Sequence, residues 1–412
     1  MKKTPLFLLL LLTHLSFAAA PAKVRTGIDV LKERNFDILK GKNVGLITNP
    51  TGVDLNLKST IDILHDAKGV NLVALYGPEH GVRGDYSAGE HVTSYTDPQT
   101  GIPVYSLYGE SRKPSAEMLK GIDVLVYDIQ DNGCRSFTYI STMGLIMEAA
   151  AENNIEVVVL DRPNPLTGLR VEGNVVEDGF ISFVSQFRIP YVYGLTCGEL
   201  AKMLNEEKML TKGVKCQLTV VPMKGWKRNM TFGDTELSWI LPSPHTPEAT
   251  SSEYYVATGV LGELGIISEG VGYTIPFHTF AAEWINGKDL ADRMNALNIK
   301  GVKFRPITYK PYYGNYAKKT LHGVQIHLNN AKEVNLLSLQ YLFMQVHNEL
   351  YPDKNPFVMA DTARIKFFDN VAGTDKVRKM FMQRMKYEDI EQFLNKDIAD
   401  FKARSKKYYL YN

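Results

Sequence analysis

Four apolar, β-branched runs mark the first half of the chain, and each stops abruptly in polar residues. "KNVGLITNPTG" (43–52) stops at Asn49, and "VNLVALYGPEHG" (70–81) at Glu79 and His80. "IDVLVYDIQDNG" (122–133) stops at Asp128, Gln130 and Asp131, and "IEVVVLDRPNP" (155–165) at Asp161, Arg162 and Asn164. Runs this continuously apolar suit strands buried on both faces, the condition of a parallel sheet covered by helices. The segments between them fit crossover helices. "LKSTIDILHDAK" (57–68) puts Ile61, Leu64 and Ala67 on one stripe, "SFTYISTMGLIMEAAAENN" (136–154) runs to two asparagines, and "TCGELAKMLNEEKML" opens with Thr196 and Glu199 in capping-box spacing. A further strand, "CQLTVVPMKGW" (216–226), extends the predicted sheet.

After residue 241 the pattern changes to "LPSPHTPEATSS", a Pro- and Ser/Thr-rich connection. Beyond it the periodicity predicts a helix in "YYVATGVLGEL", another at 287–297, strands in "GVKFRPITY" and "LHGVQIHLN", a helix near 335–350 and a helical tail. The expected fold class is therefore α/β: a Rossmann-like, mostly parallel sheet with helices on both faces over residues 21–248, and a smaller α+β domain over 249–412.

Composition narrows the class. Residues 1–20, "MKKTPLFLLLLLTHLSFAAA", read as a secretory signal, which predicts export to the periplasm or cell surface, and no later run is long and apolar enough to span a bilayer. The formal net charge of +2 includes Lys2 and Lys3, so the mature chain is neutral and lacks the basic excess of a nucleic-acid binder. Cys134, Cys197 and Cys216 show no metal-ligand spacing and read as small buried side chains.

In an open parallel sheet, ligands bind beyond the carboxyl ends of the strands. The polar strand ends here gather Asn49, Glu79, His80, Arg83, Asp128, Gln130, Asp131, Arg135, Asp161, Arg162 and Asn164. No phosphate-cradling glycine motif and no nucleophile elbow occur, so neither a nucleotide cofactor nor any other is expected. A metal is not expected either, because adjacent residues such as Glu79 and His80 rarely aim at one ion. What remains is a carboxylate-rich cleft with amide, guanidinium and aromatic neighbours, including Tyr139, Trp226 and Trp239. Such a cleft suits a sugar, with Glu79 as the acid that protonates a glycosidic oxygen. Asp161 and Arg162 fit a ligand role or a pair bracing the "DRPNP" turn, and His80 fits the shaping of its own turn.

"GLITNPTGVD", "LYGPEHGVRGD", "YDIQDNGCRSFTYISTMG", "LDRPNPLTGLRVEG", "PMKGW" and "LPSPHTP", in this order, resemble the bacterial exo-β-N-acetylmuramidase family from about residue 24 onward. The resemblance implies an exported peptidoglycan-recycling enzyme with a Rossmann-like N-terminal domain, a C-terminal α/β domain and a cleft between them. It also implies release of N-acetylmuramic acid from the non-reducing end of glycan chains, with peptidoglycan-derived saccharides as partners. The family's catalytic glutamate carries over onto Glu79. Where many relatives read roughly EGTNxSxGRGTT, this chain has "ELGIISEGVGYT" (263–274), with Val271 in place of the arginine. The lactyl carboxylate of the sugar needs a guanidinium or paired amides, so that task falls to Arg83, Arg135 or Arg162, Arg83 being favoured. Asp128, Asp131 and Glu263 are the candidates for a second carboxylate, and the residues do not rank them. A non-catalytic cell-wall saccharide-binding protein and a metal-dependent hydrolase are the alternatives.

Overall fold

The apolar runs become the middle of a seven-stranded sheet. The computed structural model describes residues 23–84, 94–109 and 111–412; residues 1–20, expected from the sequence to be a secretory signal, lie outside them. The strands are β1 (Asn43–Thr48), β2 (Asn71–Gly77), β3 (Tyr95–Thr96), β4 (Pro103–Ser106), β5 (Val124–Asp128), β6 (Glu156–Leu160) and β7 (Gln217–Val221). They lie in the order β3-β4-β2-β1-β5-β6-β7, parallel throughout except for the β3–β4 edge pair.

The continuous apolarity has its reason in what covers the sheet. Along β5, Val124 and Val126 pack with Ile61 and Leu64 of the helix Thr60–Asp66 and with Ile28 and Leu31 of the helix Gly27–Glu33. Leu125 and Tyr127 point the other way, into a core with Met143 and Met147 of the helix Tyr139–Glu152 and Leu200 and Leu204 of the helix Cys197–Glu206. Alternate side chains thus enter two different cores, so every position must be apolar. The capping box read from Thr196 and Glu199 is present.

The second half is built on β8 (Thr279–Ala282), β9 (Val302–Tyr309) and β10 (Leu321–Leu328), antiparallel in the order β8-β10-β9. The helices Ser251–Gly262, Gly287–Ala296 and Ser338–Leu350 share a core with it. β8 was not expected; its four residues are all buried, too short a run to show a period. β3, β4 and the helix Gly27–Glu33 also went unread. The chain finally returns to the first sheet: the Tyr411 hydroxyl donates to Asp161, the Leu410 N–H to Glu199, and the Arg228 N–H to the Asn412 carbonyl.

Candidate active site

β2 ends at Gly77, and the chain then turns through His80 and Gly81, both left-handed with φ of 74° and 73°, closed by the Gly81 N–H donating to the Pro78 carbonyl at 3.0 Å. Glycine adopts this conformation freely, and histidine is among the few other residues found there with any frequency. The turn delivers Glu79 into a cavity of about 650 Å³ that both halves of the chain line. The first half supplies Glu79, His80, Tyr108, Arg112, Phe137 and Tyr139, the connection supplies Ser243, His245 and Thr246, and the second half supplies Tyr255, Glu263, Phe277, Phe367 and Asn370. A cavity this size accepts a sugar with its substituents.

Glu79 shapes the electrostatics of its wall. Burial, the charge of Glu79 and a hydrogen bond to it push the Tyr108 phenol up to about 12. Burial is the main cause of the elevated Tyr139 and Tyr255 pKa values, with Glu79 adding to both. His245 is lowered by burial and by its neighbour His80, partly offset by Glu79; its ring accepts or donates a 2.8 Å bond with the Tyr313 hydroxyl. From the second half comes Glu263, pushed up to about 7 by burial and then by Glu269, with Arg364 opposing. Glu269 is likewise held at about 7, mainly by burial. Glu263 follows the helix Ser251–Gly262, and the loop after it turns sharply on Gly270 and Gly272, with φ of 101° and 90°. A Cβ on Gly272 would sit 2.3 Å from the Tyr313 carbonyl oxygen, so that loop admits no side chain there.

Of the residues singled out in the sequence, Glu79, His80, Tyr139 and Glu263 line this cavity; the rest do not. Arg83 is turned away, its Nε and Nη2 donating to Asp97 at 2.6 and 2.9 Å and Nη2 also to Asp62 at 3.1 Å. Asp128 is fully buried and forks onto Arg162 at 2.5 and 2.9 Å while accepting the Thr60 hydroxyl. Arg162 therefore pairs with the neighbouring strand's carboxylate and not with Asp161. Asp161 caps the helix Cys197–Glu206, accepting the Gly198 N–H at 2.8 Å and the Thr196 hydroxyl at 2.7 Å. Arg135 is wholly buried, and its guanidinium donates to the carbonyls of Asn174, Ile189, Val371 and Ala372 and to the Ser185 hydroxyl, tying the two halves together. Asn164 and Gln130 bond backbone carbonyls of Leu195, Asp131 and Pro163. Asp131 accepts the Gly133 N–H and the Tyr193 hydroxyl, and burial pushes it up to about 6. Asn49 accepts from Thr51 through its side-chain oxygen, and its amide nitrogen is buried without a partner. Trp226 packs on Tyr411 and Trp239 on Phe232, away from the cavity.

The sequence reading missed Tyr108, Arg112, His245 and Tyr255. Tyr108 and Arg112 follow β4, a short strand next to the sheet edge with no apolar run to announce it. His245 sits inside "LPSPHTP", a segment read as a connection. Among the described residues, no three His, Cys, Asp or Glu side chains come together as a metal set, and no helix is long and apolar enough to cross a membrane.

Carboxyl groups brought from two halves of a chain into one sugar-sized cavity are what acid-assisted cleavage of a glycosidic bond calls for, and the molecule falls among the glycoside hydrolases. A profile described as exo-β-N-acetylmuramidase NamZ, N-terminal, matches residues 44–250, and its C-terminal counterpart matches 253–411. The chain belongs to this exo-β-N-acetylmuramidase family. It is 42% identical over 393 residues to the peptidoglycan β-N-acetylmuramidase NamZ of Bacillus subtilis (strain 168), covering 95% of this chain and 92% of that one. Two crystal structures of DUF1343 family proteins from Bacteroides fragilis are also similar, each covering 95% of this chain and 99% of the other. One is 59% identical with a TM-score of 0.91, the other 30% identical with a TM-score of 0.77.

Proposed function

We propose that this protein is an exported exo-acting hydrolase that releases N-acetylmuramic acid from the non-reducing end of peptidoglycan fragments, with Glu79 as the general acid. The observation that carries the reading is Glu79 itself: a carboxyl group set on a tight left-handed turn at a strand end, bonded to Tyr108, inside a cavity that Glu263 also lines. Family membership supports the substrate class, and the segment 1–20 supports export. Glu79 gives its proton to the leaving oxygen, and Glu263 serves as the second carboxyl, acting on water, on the anomeric carbon or on the sugar's acetamide. The apolar faces of Phe137, Tyr139 and Phe277 take the ring.

One observation favours an exchange of roles: with its pKa held at about 7, Glu263 is a ready proton donor near neutrality. Leaving groups separate the two assignments. Glu79→Gln is expected to lower kcat by about 10²–10⁴-fold on a natural disaccharide, and by much less on a nitrophenyl muramic-acid glycoside, whose leaving group needs no proton. A uniform loss on both substrates in Glu79→Gln, with the leaving-group rescue appearing instead in Glu263→Gln, reverses the roles. Near wild-type turnover of the disaccharide by folded Glu79→Gln removes Glu79 from the chemistry.

A further inference from the structure

Resting on the glycosidase reading, we propose that Arg112 is the specificity-determining residue that grips the lactyl carboxylate of the muramic-acid unit. The sugar brings a negative charge into a cavity that already holds Glu79 and Glu263. A site that selects this sugar over N-acetylglucosamine needs a reachable cation to offset the repulsion and reward the charge.

The arginines named from the sequence are spent elsewhere. Arg83 lies on Asp97 and Asp62, Arg162 on Asp128, and Arg135 on buried carbonyls. Arg364 of the second half acts on Glu263 and Glu269. Among the described residues lining the cavity, Arg112 is the one side chain with a permanent positive charge. It is exposed and makes no ion pair with a described acid. Its guanidinium carbon lies 4.2 Å from the centre of the Phe183 ring, which also lines the cavity. A guanidinium resting on a ring face is held in place without using its N–H groups, so the fork stays available for a bidentate carboxylate.

Its position also fits the substrate. Arg112 shares one loop with Tyr108, whose hydroxyl is bonded to Glu79, and its charge is felt at that phenol. The cation and the carboxyl assigned to the chemistry therefore act on the same phenol and line the same cavity. In N-acetylmuramic acid the lactyl group hangs from the ring carbon next but one to the anomeric centre, so a carboxylate held near the reacting bond is what the sugar's own geometry demands.

The test compares kcat/KM for a chromogenic muramic-acid glycoside and for the same glycoside with its lactyl group as the neutral methylamide. Wild type is expected to prefer the acid. In Arg112→Met that preference falls by about 10–100-fold, chiefly through KM, as loss of a charge-assisted bidentate contact requires. Arg112→Lys, which keeps the charge and loses the fork, falls between. An unchanged preference in Arg112→Met with wild-type circular dichroism overturns the assignment while leaving the glycosidase reading standing. Release of sugar from neither substrate by wild type overturns that reading, and this one with it.

Discussion

Glu269 stands close enough to Glu263 to raise its cost of ionisation, and one guanidinium, Arg364, opposes that cost at both. Burial is the larger cause for both, and the neighbour's charge is the next cause for Glu263. Removing that charge gives a prediction with a definite sign. Glu269→Gln should lower the Glu263 pKa, so any limb of the pH–rate profile that belongs to Glu263 moves from about 7 toward acid. Glu263→Gln should abolish the limb. A limb that stays in place in Glu269→Gln assigns it to another group. These glutamates were visible in "ELGIISEGVG", but their proximity was not, because it depends on a glycine turn folding the loop back on the helix end.

The strand ends show how residues of one chemical type divide between chemistry and construction. β5 and β6 are neighbours, so Asp128 and Arg162 meet at the sheet edge and neutralise each other out of water. Breaking a buried pair on one side leaves an uncompensated charge. Arg162→Met should therefore destabilise the fold by about 3–5 kcal/mol in urea unfolding. Adding Asp128→Leu should recover part of the loss, since the isolated carboxylate is then gone; no recovery in the double variant would place the cost in packing. β2 differs because its neighbour toward the edge is the short β4, followed by the loop of Tyr108 and Arg112. Glu79 thus faces a phenol and open space where Asp128 faces an arginine.

At the scale of the molecule, the last residues bind the first sheet. Tyr411 bridges the Asp161 carboxylate and the Met223 N–H, the latter at 2.9 Å. Tyr411→Phe should cost about 1–3 kcal/mol of stability, because buried Asp161 loses a donor. Asp131 and Asp161, raised to about 6, and Glu263 and Glu269, raised to about 7, all hold protons in the fold that the unfolded chain releases near 4. Their contribution is complete below the unfolded values and is lost as pH climbs through the folded ones. Asp97, lowered to about 2 chiefly by its bond from Arg83, works the other way and weakens the fold only in strong acid. His278 and His347, lowered to about 4 by burial, oppose this, because the unfolded chain keeps protons up to about 6.5 that they have released. Four raised carboxyls against two lowered imidazoles still set the sign, so the thermal midpoint should fall between pH 5 and pH 7.5 by calorimetry; a midpoint that rises over that range would falsify the balance of these groups.

The parallel sheet, its two helical layers and the place of Glu79 at a strand end were all legible in the chain, since burial on both faces and a turn in glycine are local demands written in consecutive residues. The partners of the other strand-end groups were not. Asp128, Arg83, Arg135 and Glu79 look alike as polar residues after apolar runs. Their separation into clamps and chemistry follows from which strands lie side by side and from where the second half of the chain brings Tyr255 and Glu263 against the sheet edge. Those distances are set by packing between segments far apart in sequence, and no local pattern encodes them.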